Sequence, residues 1–247
     1  MIQLVGVTKR YDDLVAVDDL TLEVARGEIF GFIGPNGAGK TTTIKMLAGL
    51  LRPSAGRIEI DGRDISSAPE ETKRILGYIP DTPYLYEALS AREFLTFVGK
   101  IYGLSSKVIE DRMASLFTYF GMDAWAHIRA EEYSHGMRQK VVVSSALLHE
   151  PRVLVVDEPM VGLDPQSAKK VKDLFKARTR EGMTIFLSTH TLSVAEELCA
   201  RIGVIHKGRL IACGTVEALR KESGSQSRTL EEIYLELTEY TETPPGP

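Results

Sequence analysis

The chain has 247 residues, which allows one large domain or a domain with an inserted subdomain. Its composition, 43% hydrophobic and 26% charged, is that of a globular protein with a full core, and its net charge of −4 gives no general attraction to nucleic acid. The two cysteines, Cys199 and Cys213, lack metal-ligand spacing, which disfavours a disulfide framework and predicts a reducing compartment.

Alternating apolar and polar residues open the chain and predict strands. The pattern covers Ile2–Val7 and Leu20–Val24, with turn residues at Asp12–Asp13 and Arg26–Gly27. A further strand is predicted over Gly56–Ile60, where the turn Asp61–Gly62 follows. This first part of the chain therefore has a β-rich character.

A glycine-rich loop at residues 34–42, GPNGAGKTT, fits the pattern G-x-x-x-x-G-K-[ST]. A strand is predicted before it over Glu28–Ile33 and a helix after it over Thr42–Leu50, which disfavours a chance turn. Small residues let backbone N–H groups close around phosphate oxygens, and the helix N-terminus adds positive potential. Lys40 can reach the β- and γ-phosphates, and the Thr41 hydroxyl can complete the coordination of Mg²⁺. The predicted phosphate-binding residues are Gly34, Pro35, Asn36, Gly37, Ala38, Gly39, Lys40, Thr41 and Thr42.

Helical spacing dominates the middle of the chain. Ser90 and Glu93 form a capping box, and the pattern continues through Phe94, Phe97, Val98 and Ile101. A second helix is predicted from the apolar positions Ile109, Met113, Leu116, Phe117 and Phe120. We interpret these aromatic residues as core rather than as a ligand site. The prediction is a helical subdomain over 88–150, inserted into a nucleotide-binding core formed by 1–87 and 151–220.

Two short buried strands are predicted at Val153–Asp157 and Thr184–Ser188, and polar residues follow both of them. Because parallel strands deliver their C-terminal residues to one edge of a sheet, Asp157 is placed to hold Mg²⁺. Glu158 can orient and deprotonate an attacking water, and His190 can donate a hydrogen bond to the γ-phosphate. Considered alone, the two acids are more simply solvated side chains and the histidine a structural one.

The C-terminal part begins with a predicted hairpin over Ile202–Ile205 and Arg209–Ala212. A polar linker over 222–228 follows, and then an amphipathic helix over Thr229–Glu239 with Leu230, Ile233, Tyr234 and Leu237 on one face. Residues 243–247 are expected to be disordered. The predicted fold class is α/β, with a mixed sheet that has a parallel core and an antiparallel β edge, and with an inserted helical subdomain.

Over nearly all of residues 1–220, these ordered motifs resemble the nucleotide-binding subunits of ABC transporters, whose core is that of a P-loop NTPase. The variants present are similar to those of the ABC-2-type and multidrug exporter group. Lys40 and Thr41 match Walker A, and Asp157 and Glu158 match Walker B with its catalytic glutamate. The resemblance also implies a D-loop over 162–164 that includes Asp164, a switch histidine at His190, and adenine stacking by Tyr11. As a lone residue, Tyr11 is equally an edge-strand tyrosine.

Residues 133–137, YSHGM, occupy the place of the family's LSGGQ signature. Ser134 and Gly136 are retained, and they supply a hydroxyl and an unhindered backbone N–H at a helix N-terminus. Tyr133, His135 and Met137 depart from the pattern. An ordinary helix start capped by Ser134 is compatible with the same residues.

Asp81 stands where the family has its Q-loop glutamine, after Gly77–Pro80. A carboxylate can still ligate Mg²⁺ or its water, so Asp81 joins Thr41 and Asp157 as a candidate metal ligand. Unpaired, it would repel a γ-phosphate. The hypothesis is that Asp81 couples metal occupancy to a transmembrane partner.

The resemblance implies ATP and Mg²⁺ as cofactors and an ATPase with Glu158, His190 and Lys40 in its catalytic site. It also implies a head-to-tail homodimer or heterodimer around two ATP molecules. Since no apolar run approaches the roughly 18 residues of a membrane span, a separate permease would cross the membrane, most simply for export. The chain is then expected in the cytoplasm, peripheral on the inner face of the cell membrane. Residues 81–102 are the candidate docking surface, and a place in the core accounts nearly as well for their aromatic side chains.

Two other classes are weaker. A soluble ABC-type ATPase that acts on nucleic acid or translation usually has two cassettes or a long heptad insertion, and this chain has neither. Its acidity argues in the same direction, so no nucleic acid partner is expected. A P-loop kinase or GTPase would not account for the signature segment or for His190.

Overall fold

The computed structural model describes residues 1–222 and 229–240, which form an α/β fold with two sheets. The strands are β1 (Ile2–Tyr11), β2 (Leu14–Val24), β3 (Ile29–Ile33), β4 (Ala55–Ile60), β5 (Arg63–Asp64), β6 (Leu76–Ile79), β7 (Val153–Asp157), β8 (Thr184–Thr189), β9 (Arg201–His206) and β10 (Arg209–Gly214). The helices are α1 (Lys40–Leu47), α2 (Pro69–Arg74), α3 (Ala91–Ile101), α4 (Ser106–Phe120), α5 (His135–Leu147), α6 (Pro165–Arg180), α7 (Leu192–Leu198), α8 (Val216–Glu222) and α9 (Leu230–Tyr240).

The larger sheet has six strands in the order β10-β9-β3-β8-β7-β6. All neighbouring strands are parallel except β9 and β10, which form the predicted antiparallel hairpin at one edge. Every residue of β3, β7 and β8 is buried, as expected of parallel strands covered on both faces. The C-terminal ends of these three strands therefore meet at one edge of the sheet.

The smaller sheet is antiparallel and has the order β2-β1-β4-β5. The strands β1 and β2 are longer than predicted, and the turn between them is Asp12–Asp13, where Asp12 has φ 48°. Aliphatic side chains of β1, β2 and β4 pack with Phe30, Phe32 and the buried face of α1 in one hydrophobic cluster. The α/β class and the mixed parallel and antiparallel pairing are confirmed, and most of the antiparallel strands form a sheet of their own.

Helices α3, α4 and α5 pack against one another between β6 and β7 in the chain. The predicted capping box is present, because Ser90 Oγ accepts from Glu93 N–H and Ser90 N–H donates to the Glu93 carboxylate over 2.8 Å. The predicted core positions Ile109, Met113, Leu116, Phe117 and Phe120 are buried. The division into 1–87 with 151–220 and an inserted subdomain over 88–150 stays a prediction.

The prediction that Phe97 belongs to the core was wrong. Phe97 is 44% exposed, Phe94 is only partly buried, and Ile101 is exposed as well. Helix α3 instead buries Ala91, Leu95 and Gly99, because a Cβ on Gly99 would lie 2.6 Å from Ile109 Cγ1. Close approach of α4 to this small-residue face turns the aromatic side chains outward.

The C-terminal helix α9 was predicted from its apolar face, and its buried residues confirm that face. Leu230 and Ile233 are buried, and Tyr234 and Leu237 pack against the same cluster. The predicted linker over 222–228 and the predicted disordered end at 243–247 fall almost entirely outside the described residues. Among the helices described, none is long and apolar enough to span a membrane.

Candidate functional site

The phosphate loop fills the gap between β3 and α1, and tight packing explains its glycines. A Cβ on Gly34 would lie 2.3 Å from the carbonyl oxygen of Ile205. A Cβ on Gly39 would lie 2.5 Å from the carbonyl oxygen of Ala16, and Gly39 has φ 108°. The loop is thus held between β2 and β9. Gly39 offers no side-chain cap to α1, so the first N–H groups of this helix stay available to a ligand.

Lys40 is buried and lies across the loop. Its ammonium donates to the carbonyl oxygen of Gly34 over 2.7 Å and to that of Pro35 over 3.0 Å. Burial lowers the pKa of Lys40, while Glu158 and Asp157 act to raise it. An ammonium held by two carbonyl oxygens of the loop has the charge and the position to accept a phosphate in their place.

Asp157 ends β7 and is 1% exposed. It pairs in register with Ser188 of β8, and Ser188 Oγ donates to its Oδ1. Burial raises the pKa of the Asp157 carboxyl, although hydrogen bonds from Ser188 and Thr41 act to lower it. Over the described ranges, Oδ2 has no hydrogen-bond partner. A buried carboxylate oxygen without a partner, beside a threonine hydroxyl, fits a cation.

Glu158 is held on three sides at the start of the next loop. Its Oε1 lies 2.7 Å from His190 Nδ1 and accepts from the His190 backbone N–H over 2.7 Å. Its Oε2 accepts from Thr189 Oγ1 over 3.0 Å. Glu158 has φ 47°, a left-handed conformation that a non-glycine residue adopts at some cost. The loop therefore fixes this carboxylate beside the imidazole, a contact between Glu158 and His190 that the sequence pattern did not predict.

Asp81 follows β6, which is the neighbour of β7, and is exposed. Its Oδ1 accepts from the backbone N–H of Thr82 over 2.8 Å. Its negative charge acts to raise the pKa of Asp157, and together with burial and Asp157 it raises the pKa of Tyr78 to about 12. Asp81 is therefore electrostatically part of the same acidic edge.

The remaining predicted residues lie at the ends of three other elements, β1, α5 and α6. Tyr11 ends β1 and is 43% exposed, with Lys9 Nζ 5.2 Å from its ring centroid. Ser134 caps α5 by accepting from Met137 N–H over 3.3 Å, and Asp164 caps α6 by accepting from Ser167 N–H over 2.9 Å. In the part of the chain that the structure describes, no hydrogen bond joins Ser134 or Gly136 to residues 34–42.

Comparison with known proteins agrees with this geometry. Residues 17–161 match the sequence profile of the ABC transporter family. The chain belongs to the ABC transporter family. It is 37% identical over 227 residues to the linearmycin resistance ATP-binding protein LnrL of Bacillus subtilis, covering 92% of this chain and 73% of that protein. It is 39% identical over 214 residues to the Nod factor export ATP-binding protein I of Cupriavidus pinatubonensis, covering 87% of this chain and 66% of that protein.

A solved structure of the ATP-binding subunit of an ABC transporter has the same fold, with a TM-score of 0.92. It is 37% identical in sequence, and the match covers 96% of this chain and 99% of that one. As an ABC transporter ATP-binding protein, the chain is an ATPase that binds a nucleotide.

Three polar residues of this ABC protein's site were missed by sequence reasoning. Ser188 and Thr189 end β8 and hold Asp157 and Glu158, respectively. Gln139 is buried in α5, and its Nε2 donates to the carbonyl oxygen of Pro159 over 3.2 Å. Hydroxyl residues at the end of a buried strand beside an acid-ended strand were the available signal. Nothing local to Gln139 indicated its partner, 20 residues away.

A cavity of about 600 Å³ is lined instead by residues such as Arg26, Arg152, Arg178 and Met183. Its arginines are already paired, since Arg26 and Arg152 both contact Asp61, and Arg178 contacts Glu181. None of the predicted site residues lines it. This cavity is therefore separate from the residues predicted to bind a nucleotide.

Proposed function

We propose that this chain is the ATP-hydrolysing subunit of an ABC exporter, which dimerises around two ATP molecules and drives a separate transmembrane permease. One observation carries the proposal. The phosphate loop, the two acids and His190 lie together, whereas Ser134 and Gly136 begin a helix that makes no hydrogen bond to that loop in the described residues. A single chain thus holds two incomplete halves of a site.

Two copies in a head-to-tail arrangement bring the halves together. A phosphate bound at Lys40 of one subunit then faces the N-terminus of α5 of the other, where Ser134 and Gly136 offer donors. The geometry suits either two identical chains or two related ones. Asp164 and Tyr11 are proposed as the remaining nucleotide contacts, the latter by stacking on adenine.

Three residues of the site have a proposed role in ATP hydrolysis. Lys40 leaves the carbonyl oxygens of Gly34 and Pro35 and neutralises the β- and γ-phosphates. Glu158 takes a proton from the attacking water, since its Oε1 and Oε2 are already oriented by three hydrogen bonds. The outward side of the His190 ring, which is 58% exposed, donates to the γ-phosphate as charge develops there.

Magnesium fits the polar atoms present. The Thr41 hydroxyl and Asp157 Oδ2 would hold the ion, with Asp81 as a further ligand directly or through water. No cluster of three acidic or imidazole groups able to hold a metal occurs in the described residues. Such a cluster is not required, because Mg²⁺ usually binds one or two protein carboxylates and completes its coordination shell with phosphates and water. When bound, it neutralises the charge of the phosphates.

The permease is proposed to dock on an aromatic patch formed by Tyr84, Tyr86, Phe94 and Phe97. Tyr86 lies at the centre, with ring centroids 6.0, 6.3 and 6.0 Å from those of the other three. Tyr84 is 75% exposed, whereas Leu85 between them is buried. Exposed aromatic groups beside Asp81 give an apolar segment of the permease a surface that is connected to the acidic edge.

This docking is tested by reconstituting the chain with its permease. The variant Tyr84→Ser should lose permease stimulation of hydrolysis and keep its basal rate, while Leu50→Ser, an exposed apolar residue outside the patch, should keep both. Full stimulation in Tyr84→Ser would remove the patch from the interface. The same assay tests Asp81, since unchanged stimulation in Asp81→Ala would sink its coupling role.

Export and location rest on the names of the relatives. One relative confers linearmycin resistance and another serves Nod factor export, both of which favour an outward-directed transporter. With an exporter's permease in the cell membrane, ATP is available only from the cytoplasm. The chain is therefore proposed to lie in the cytoplasm, peripheral on the inner face of the membrane.

The variant Glu158→Gln tests the catalytic proposal. It should bind ATP normally and lose hydrolysis by at least about a hundredfold, because a positioned general base contributes 10²–10⁴. With ATP it should accumulate as a dimer in light scattering, since the bridging γ-phosphate persists. Wild-type turnover would remove Glu158 from the role of base. Stimulation of the wild type by RNA, but by no membrane protein, would instead favour the class of soluble ATPases.

A further inference from the structure

His135 is a departure from the family signature that contacts the D-loop. It is the first residue of α5, between Ser134 and Gly136, and its side chain is exposed. Its ring lies directly over Gly162 of the D-loop. A Cβ built on Gly162 would lie 1.9 Å from His135 Cδ2 and 2.5 Å from Nε2. The imidazole therefore occupies the place that a side chain at 162 would take.

The same turn of α5 contacts this loop at two further points. A Cβ on Gly136 would lie 3.3 Å from the carbonyl oxygen of Gly162, so the two backbones are close. One turn further along, the buried amide of Gln139 donates to the carbonyl oxygen of Pro159. Because a buried hydrogen bond is costly to leave unmade, this contact resists separation of the helix from the loop. The start of α5 is thus braced against residues 159–162.

The loop that is braced begins at the catalytic carboxylate. Glu158 immediately precedes Pro159, and its carbonyl oxygen accepts from Val161 N–H over 3.3 Å. Leu163 N–H then donates to the carbonyl oxygen of Met160 over 3.3 Å. These two hydrogen-bonded turns restrict the backbone between Glu158 and Gly162. Displacement of Gly162 is therefore transmitted to the carboxylate that His190 and Thr189 orient.

We propose that His135 is a positioning residue that couples the two ATP sites of the dimer, which rests on the function proposed above. The start of α5 faces the ATP held by the partner, whereas Glu158 serves the ATP held by its own subunit. The contact between the His135 ring and Gly162 joins these two positions within one chain. Arrival of ATP in one site then sets the orientation of the base in the other.

Removal of the ring tests the coupling. The family pattern carries glycine at this position, so His135→Gly should fold with an unchanged melting temperature. Its ATP-dependent rate should lose cooperativity, with the Hill coefficient falling from about 2 to about 1, because the coefficient is limited by the number of coupled sites. The matched control His127→Gly removes an exposed histidine elsewhere and should keep the wild-type value. His135→Gln, which retains a planar side chain, should restore part of the cooperativity.

A double-mutant cycle isolates the ring contact from backbone strain. Gly162→Ala is strained at φ 76° and also meets the His135 ring, whereas in the double variant with His135→Gly only the strain remains. In urea unfolding, the double variant should therefore be less destabilised than Gly162→Ala alone. Additive effects, or an unchanged Hill coefficient in His135→Gly, would overturn the proposal. Absence of hydrolysis in the wild type would instead count against the proposed function itself.

Discussion

The phosphate-loop region and the signature region of this chain differ in how completely their polar groups are used. Lys40, Asp157 and Glu158 each hydrogen-bond to neighbouring residues of the same chain, and the buried Oδ2 of Asp157 is left without a partner among the described residues. At the start of α5, Ser134 and His135 are exposed, and they contact their own helix and Gly162.

The two regions are positioned by different elements of the fold. Three parallel strands end at the same edge, so the phosphate-loop region is assembled by the sheet within one chain. The signature region is presented by the start of α5, where Ser134 and Gly136 make no hydrogen bond to residues 34–42 in the part of the chain that the structure describes. A pre-formed half beside an exposed half is the arrangement expected when a second copy completes the site.

Replacement of Lys40 should have the largest effect on ATP binding, because Lys40 belongs to the phosphate-loop region and not to the signature region. Lys40→Ala is expected to lower ATP affinity of the isolated chain at least about tenfold, because hydrogen bonds to charged groups are worth about 1.5–3 kcal/mol. Lys45→Ala, an exposed lysine on the same helix, is the matched control and should bind normally. Titration with a fluorescent nucleotide measures both, and equal affinities would show that the loop does not hold the phosphates.

A second test concerns stability and uses His149, which connects the helices of the signature region to the sheet. Its ring stacks on Tyr102 with centroids 3.7 Å apart, and Nε2 lies 3.1 Å from the carbonyl oxygen of Leu76. Burial lowers the pKa of His149 to about 4, the bond to Leu76 opposes this, and Arg112 adds to it.

The pKa of His149 is lower in the folded protein than in the unfolded chain. The pH-dependent contribution of His149 to the free energy of unfolding is therefore at its maximum above pH 6.5. It is lost as pH falls from there toward about 4, by up to about 3 kcal/mol in the free energy of unfolding. Urea unfolding at pH 7.5 and pH 5 should show about 2 kcal/mol of this loss in the wild type and a smaller loss in His149→Phe. The same pH dependence in both would assign it to other groups.

Much of the phosphate-loop region was predictable because its residues are contiguous. Residues 34–42 and the strand that ends at Asp157 carry their chemistry in short motifs, and the structure places them together as expected. Phe97 and Gln139 were not predictable in this way. Their positions depend on how closely α3 approaches α4, and on a loop far away in the chain. The local periodicity of the sequence predicts neither the distance between α3 and α4 nor the contact between Gln139 and Pro159.

The most direct test of the two-halves account mixes two inactive variants. Lys40→Ala destroys the phosphate-loop half, and Gly136→Asp places a negative charge at the signature half, at a helix N-terminus that tolerates an acid. A mixed dimer contains one site with both defects and one intact site, so mixing should restore up to about one quarter of the wild-type ATPase rate. Each variant alone should stay inactive. If the mixture is also inactive, although light scattering shows that mixed dimers form, each chain builds its site alone and the account is contradicted.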